Sequence, residues 1–110
     1  MERPLPFPRV VGDLQAALAD CDESLRLLPS IVGVGTRGLV LLKLGRFDEA
    51  IADYDAALKV YAKGAHSLYG RGVAKRKKGD VAGGDADIAA AKAIKPDVAD
   101  WHAKWGVSAP

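Results

Sequence analysis

Apolar side chains recur along the chain at the spacing of helices. In the segment 47–61 they are Phe47, Ala50, Ile51, Tyr54, Ala57, Leu58 and Tyr61. Residues three and four apart share one face of an α-helix, whereas a half-buried strand would alternate polar and apolar residues. Such alternation is absent from the sequence. The pattern predicts helices over 13–28, 31–44, 47–61, 65–78 and 81–94, and a short one over 97–105.

Glycine, proline and aspartate mark the predicted ends of these helices. Three glycines predict turns: Gly12, Gly45 and Gly79. Pro29 and Pro96 lie where a helix should stop, because proline cannot continue the helical hydrogen bonds. Asp13 and Asp80 follow two of the turns, where an aspartate can cap the next helix.

The same glycines reveal an internal repeat. They are 33 residues apart from 12 to 45 and 34 residues apart from 45 to 79. The block after each glycine carries an aspartate in the same column, Asp20, Asp53 and Asp87. Between the blocks, Arg37–Gly38 matches Arg71–Gly72. The sequence therefore predicts a repeated pair of helices, with a third, shortened copy that begins near Ala99.

This repeat resembles the tetratricopeptide repeat family, whose period is 34 residues. The family needs small residues where two helices approach, and the matching positions here are Gly38, Gly72, Ala17, Ala50 and Gly84. Tyr54 and Leu68 are the large residues beside them. The segments LYGRG (68–72) and GRFDEAIADYDAAL (45–58) are similar to the family. Ankyrin repeats have a similar period, but their TPLH-type opening is missing.

The resemblance implies an all-α fold. We expect a right-handed superhelical stack of antiparallel helix pairs, an α-solenoid, with about two and a half repeats plus a short C-terminal helix. The repeat domain is predicted over 12–106, as the second helix of a partial repeat (12–29), two full repeats (31–62 and 65–96) and a C-terminal helix (97–106). A proline-rich segment (1–11) and a tail (107–110) flank it.

The resemblance also implies a function, that of a non-catalytic protein–protein interaction module. In this family the first helices line a concave face that holds a peptide or partner protein. The partner-binding residues carried onto this sequence are Val32, Leu39, Leu42, His66, Tyr69, Val73, Arg76 and Lys77. Their apolar centre and basic rim suit a peptide with an apolar anchor and some acidic character.

One variety of the family clamps the C-terminal carboxylates of heat-shock chaperones with Lys, Arg and Asn. The matching columns here hold Gly35, Leu39 and Gly70. None of these side chains can donate a hydrogen bond to a carboxylate. We therefore expect no clamp for chaperone tails.

Composition narrows the class of protein further. Apolar residues make up 49% and charged residues 27% of the 110 residues, which is typical of a globular domain. The net charge of +2 is too small to require a polyanionic partner. One cysteine excludes an intrachain disulfide, and no apolar run is long enough to cross a bilayer. We expect a cytoplasmic protein without a membrane partner.

Chemical motifs for catalysis, cofactors or metals are weak. The segment GVGTRG (33–38) satisfies G-x-G-x-x-G, but a dinucleotide site needs a preceding strand and a helix is predicted there. The two histidines, His66 and His102, have no further ligand nearby at metal-site spacing, and Cys21 occupies an apolar column. We therefore predict no enzyme activity, no cofactor and no metal.

The basic cluster Lys75–Lys78 supports an alternative function, binding of nucleic acid or another acidic surface. The same charges also suit the last turn of a helix, and no aromatic residue is interleaved with them. Nucleic acid is therefore the secondary prediction. The acidic pairs 20/22, 53/55 and 85/87 are interpreted as solvent-facing charge.

The first predicted helix has a leucine-rich face and a neighbour on one side only. Its large apolar residues are Leu14, Leu18, Leu25 and Leu28. A bare apolar flank favours self-association. Two explanations remain open: the chain forms a homodimer through the uncovered helix 13–28, or residues 1–11 fold back across it.

Overall fold

The computed structural model describes residues 11–107, in which helices are joined by short turns. That part contains six helices and no strand: α1 (Val11–Leu27), α2 (Ile31–Lys43), α3 (Phe47–Val60), α4 (Ala65–Lys77), α5 (Val81–Ile94) and α6 (Val98–Lys104). Each helix begins and ends within two residues of its predicted limits, so the predicted all-α fold is confirmed. Apart from Val11 and Val107, the predicted segments 1–11 and 107–110 lie outside the described residues.

Local sequence signals explain most helix ends. The Asp80 carboxylate accepts a 2.9 Å hydrogen bond from the amide three residues later, which confirms it as the cap of α5. The Ser30 hydroxyl caps α2 in the same way at 3.0 Å. Gly45 and Gly79 follow α2 and α4 with φ of 80° and 101°, a left-handed conformation that favours glycine.

Two predictions about the first helix are wrong. Because α1 begins at Val11, Gly12 lies inside the helix and does not form a turn. Asp13 lies in the first turn and is not the cap. Its carboxylate still favours the positive N-terminal end of the helix dipole.

Successive helices pack against each other in chain order from α1 to α5. The two first helices of the repeats, α2 and α4, also touch, so they share one face of the stack. The last helix continues this order, because α6 contacts α5 and also α4, as α4 contacts α3 and α2. It therefore lies where the first helix of a third repeat copy would lie.

Small residues allow the helices to approach closely, as the repeat predicts. A methyl group added to Gly38 would lie 3.1 Å from the Tyr54 ring. One added to Gly72 would lie 2.7 Å from the carbonyl oxygen of Gly84, so the backbones of α4 and α5 are in direct contact. Gly70 faces the other edge of Tyr54, and an added methyl group there would overlap the ring.

Candidate functional site

A groove of about 690 Å³ opens between the first helices of the two repeats and the C-terminal helix. Its walls come from α2, the end of α3, the start of α4, the end of α5 and α6. The lining residues are Ile31, Val32, Gly35, Thr36, Leu39, Tyr54, Ala57, Tyr61, Lys63, Gly64, Ala65, His66, Ser67, Ile94, Lys95, Trp101 and His102. We call this surface the groove. Its volume lies in the range of sites that enclose a small ligand or a few peptide residues.

Large apolar side chains stand exposed around the groove. Val32 is 77% exposed, Tyr61 58% and Trp101 37%. Ile31 and Ile94 are also exposed. Contiguous exposed apolar surface on a domain is typical of a binding site for another molecule. The groove therefore offers apolar contact area that no described part of the chain covers.

The charge of the groove is positive. Lys63 and Lys95 line it, whereas the lining contains no aspartate or glutamate. Lys95 lies 3.4 Å from the Asp97 carboxylate, and among the described residues no ion pair involves Lys63. Lys63 can therefore pair with a carboxylate of a ligand without first breaking another ion pair.

Two histidines stack at the base of the groove. The ring centroid of His66 lies 4.4 Å from that of Trp101 and 5.5 Å from that of His102. Burial lowers the pKa of His66, with a further contribution from Lys95. Burial lowers the pKa of His102 to about 4, although its Nδ1 donates a 3.0 Å hydrogen bond to the Val98 carbonyl. Both rings are therefore uncharged at neutral pH.

The residues predicted from the repeat divide between the groove and the core. Val32 and His66 line the groove, and Leu39, which is 6% exposed, lies at its floor. Three others are buried outside the lining: Leu42, Tyr69 and Val73. Tyr69 packs its ring 4.5 Å from that of His102, so the C-terminal helix covers it. These three side chains support the groove and do not form its surface.

The two predicted basic residues lie away from the groove. Arg76 forms an ion pair with Asp85 of α5. Lys77 is exposed beside a separate, smaller hollow that Leu42 and Val107 also line. The basic rim of the groove instead comes from Lys63 and Lys95, which the sequence analysis missed.

Most of the missed groove residues come from outside the first helices. Tyr61 and Lys63 follow α3, Ile94 and Lys95 end α5, and Trp101 belongs to α6. Trp101 lies within the predicted C-terminal helix (97–106), which was not expected to contact a partner.

The basic cluster Lys75–Lys78 is largely balanced by carboxylates. Lys75 Nζ lies 3.0 Å from Asp87. Arg76 pairs with Asp85, and Lys78 pairs with Asp48. Paired cations attract a polyanion less than free ones. This arrangement weakens the case for a nucleic-acid surface.

Two of the aspartates interpreted as solvent-facing are buried, which corrects that interpretation. Asp53 is 8% exposed and accepts two 2.7 Å hydrogen bonds from Arg37. Asp87 is 7% exposed and accepts two from Arg71, at 2.8 Å each. Burial alone would raise the pKa of Asp87, but the bonds from Arg71 and Lys75 outweigh it and hold the pKa below its ordinary value.

The remaining candidate motifs are structural in this fold. The segment 33–38 is helical, so its glycines form no phosphate-binding loop. Cys21 is half-buried, and burial with the neighbouring Asp22 raises the pKa of its thiol, which disfavours the reactive thiolate. Among residues 11–107 no group of three potential ligands is placed to hold a metal ion. In the same range no helix is both long and apolar enough to cross a membrane.

Paired helices that stack at a 33–34-residue period, with glycines at their crossings, define a helical-repeat protein. The family model described as tetratricopeptide repeat matches residues 36–99, more than half of the chain. The chain belongs to the tetratricopeptide repeat family. No curated protein matched it. Tetratricopeptide repeats generally mediate protein–protein interaction and are typically non-catalytic.

Proposed function

We propose that the groove holds a short segment of a partner protein that carries an apolar side chain next to an acidic group. The observation that supports this most is the combination of exposed Val32 and Tyr61 with Lys63 and Lys95 in one concave surface. Apolar area supplies affinity when it is buried, and the lysines select an acidic neighbour. The protein then acts as a non-catalytic interaction module.

The proposal differs from the sequence hypothesis in the residues that touch the partner. Val32 and His66 remain as contacts, and the buried Leu39 remains as the floor of the groove. Buried Leu42, Tyr69 and Val73 would hold the walls in place. The acidic group of the partner would pair with Lys63 and Lys95 and not with Arg76 and Lys77.

A selection from a random-peptide display library on the full chain tests this proposal. We expect enriched peptides with an apolar residue beside aspartate or glutamate. The Val32→Asp variant should lose this enrichment, since it places a charge in the apolar part of the groove. Val60→Asp is the matched control, because Val60 is 69% exposed and lies outside the groove.

The double variant Lys63→Glu, Lys95→Glu tests the charge separately. The double variant should lose the preference for acidic peptides and should select basic peptides instead. The proposal would be contradicted if the wild type and Val32→Asp enriched the same peptides equally. It would also be contradicted if the double charge reversal left the preference for acidic peptides unchanged.

The alternative partner is nucleic acid or another acidic surface at Lys75–Lys78. The ion pairs to Asp48, Asp85 and Asp87 argue against it. A labelled duplex DNA titrated with the protein at low and at physiological salt distinguishes the two functions. Tight binding that weakens steeply with salt would favour the alternative.

A homodimer through the first helix is a second proposal, and it is independent of the groove. Of the predicted leucine face, Leu14 is buried and Leu18 and Leu25 are half-buried, so only Leu28 is fully exposed, next to the exposed Leu27. Sedimentation of the full chain over a range of concentrations tests it. We expect a dimer that Leu27→Glu with Leu28→Glu dissociates; a monomer at every concentration would contradict it.

A further inference from the structure

One face of α1 is partly open, although the same face of the later second helices is covered. Four repeat columns form this face, which we call the α1 open face: Ala17, Asp20, Cys21 and Ser24. The residues of these columns are all buried in α3 and α5, namely Ala50, Asp53, Tyr54 and Ala57, and Gly84, Asp87, Ile88 and Ala91. In α1, by contrast, Ala17 and Cys21 are half-buried and the other two are exposed. The α1 open face therefore differs from its two counterparts in every column.

A missing neighbour explains this difference. In each full repeat the first helix packs on the second, α2 on α3 and α4 on α5. Among the described helices α1 contacts α2 alone, and α2 takes the place beside α1 that α4 takes beside α3. Within residues 11–107, no helix thus fills the place beside α1 that α2 fills beside α3. A helix docked there would complete the first repeat.

The two full repeats show which chemistry such a helix needs. Each first helix donates two hydrogen bonds from an arginine to the aspartate column, in the pairs Arg37–Asp53 and Arg71–Asp87. Asp20 occupies the same column, yet no described residue forms an ion pair with it. An arginine is therefore the residue that complements this position.

The residue after each of these arginines is a glycine, and the helices cross there. A methyl group added to Gly38 would lie 3.1 Å from the Tyr54 ring. Cys21 stands in the column of that tyrosine in α1, and its side chain is much shorter. A crossing on α1 thus has room for alanine as well as for glycine.

The chain has no further helix of this kind to offer. Arginine followed by glycine occurs twice in the sequence, at 37–38 and 71–72, and both arginines already bond to their own second helices. The third copy carries Trp105 in the arginine column. A second copy of the chain would therefore have to release one of its own repeats to fill the α1 open face. These observations favour a helix from another protein.

The α1 open face is separate from the proposed dimer contact. Leu27 and Leu28 share their repeat columns with Val60 and Tyr61. Those two residues stay 69% and 58% exposed, although α3 has a helix on both sides. A helix docked on the α1 open face would therefore leave the two leucines uncovered.

We propose that the α1 open face binds a helix of a partner protein in which an arginine is followed by glycine or alanine. The arginine pairs with Asp20, and the small residue packs over Cys21. The helix takes the orientation on α1 that α2 takes on α3. This proposal does not depend on what the groove holds.

A peptide of residues 64–80 is the probe, because it contains α4 with its Arg71–Gly72 pair and has no cysteine. Cys21 is the only cysteine of the chain, so its rate of alkylation by iodoacetamide reports whether the α1 open face is covered. We expect the peptide to slow this reaction in the full chain, and the effect to saturate. The Arg71→Gln peptide should need a concentration about tenfold higher for the same protection.

Two protein variants test whether Asp20 is the partner of that arginine. Asp20→Asn should weaken binding of the unmodified peptide about tenfold and should bind both peptides equally. Asp13→Asn is the matched control, because Asp13 is exposed on the same helix but outside the α1 open face. This control should leave the affinity unchanged. Equal weakening by the two variants would show a general attraction between charges and would overturn the proposal.

A tethered form covers the case in which the free peptide is too weakly helical to bind. Residues 64–78 are fused ahead of Met1, so that residues 1–11 form a tether and the effective concentration rises to about 1 mM. Cys21 should react more slowly in this fusion than in the same fusion with Arg71→Gln in the added segment. Equal rates in the two fusions would overturn the proposal.

Two further measurements test the other possible occupants of the α1 open face. Deletion of residues 2–10 should leave the alkylation rate of Cys21 unchanged, and so should a rise in the concentration of the full chain. A faster reaction after the deletion would show that the N-terminal segment covers the face. A slower reaction at high concentration would show that a second copy covers it. Either result would overturn the proposal.

Discussion

Arg71 donates two hydrogen bonds of 2.8 Å, from Nε and Nη2, to the two carboxylate oxygens of Asp87. Its remaining nitrogen, Nη1, donates a 2.8 Å bond to Asp55 on the preceding second helix. One repeat earlier, Arg37 joins Asp53 and Asp22 in the same way. Each arginine therefore links three successive helices, and the link recurs with the repeat.

The first prediction concerns this link. Asp87→Asn removes the buried charge that accepts two bonds from Arg71 and also pairs with Lys75, so Arg71 keeps only the more exposed Asp55 as a charged partner. We expect the free energy of unfolding to fall by about 2 kcal/mol. Urea unfolding followed by circular dichroism measures it.

Asp20→Asn is the matched control. Asp20 occupies the same repeat column but is exposed, and no described residue pairs with it. Asp20→Asn should lower the free energy of unfolding by less than ~0.5 kcal/mol. Equal losses for the two variants would show that the arginine link contributes nothing to stability.

The second prediction concerns the contact between Gly70 and Tyr54. Gly70→Ala places a methyl group into the Tyr54 ring, which is 2% exposed and cannot swing aside. Overpacking of this kind costs about 1–3 kcal/mol. Thermal unfolding should show the loss as a lower Tm.

The same substitution at Gly35 provides the comparison. The nearest atom to a methyl group there is Ser67 Oγ at 3.9 Å. Gly35→Ala should therefore stabilise the helix by about 0.5–1 kcal/mol, because alanine has the higher helix propensity. A Gly70→Ala protein as stable as Gly35→Ala would contradict the close contact.

The third prediction concerns pH. The pKa of His102 is about 4 in the fold, below its ordinary value of 6.5, so the unfolded chain takes up a proton first as the pH falls. The stability that comes from burying the uncharged His102 ring is fully present above the ordinary pKa of 6.5. It is lost progressively as the pH falls toward the pKa of about 4 in the fold. We expect a loss of about 2 kcal/mol between pH 7 and pH 5. The lowered pKa of His66 acts in the same direction.

His102→Gln isolates that contribution, because its amide can still donate a hydrogen bond to the Val98 carbonyl but does not titrate. The variant should lose less stability than the wild type over the same pH range. Urea unfolding at pH 7 and pH 5 gives the comparison. An unchanged pH dependence in the variant would assign the effect to other groups.

Much of the fold was predictable from the sequence because the repeat carries redundant signals. The apolar spacing within 47–61 predicts a helix, and the recurrence of Gly38 as Gly72 predicts where helices cross. The structure confirms both, since each glycine lies at a crossing. Local periodicity and the spacing of small residues are enough to predict the fold when every repeat unit packs only on its neighbours.

The buried charges and the contact between the C-terminal residues and α2 were not predicted, for different reasons. Asp53 and Asp87 were interpreted as solvent-facing because each belongs to a pair of aspartates two residues apart, which a helix points to different sides and which no metal-loop spacing surrounds. Their partners lie sixteen residues earlier in both repeats, at Arg37 and Arg71, and that recurring spacing was the available signal. The short C-terminal helix was predicted, but its contact with α2 was not, because Lys43 and Trp105 are 62 residues apart, a separation that is not a multiple of the repeat.

The groove as the partner surface is the central claim, and chemical-shift mapping tests it most directly. A ¹⁵N–¹H correlation spectrum of the full chain is recorded while a peptide enriched in the display selection is added. The claim predicts the largest shifts at Val32, Thr36, Ser67 and Lys95, with little change at Lys75–Lys78. Shifts confined to Lys75–Lys78, or to the exposed face of α1, would contradict it.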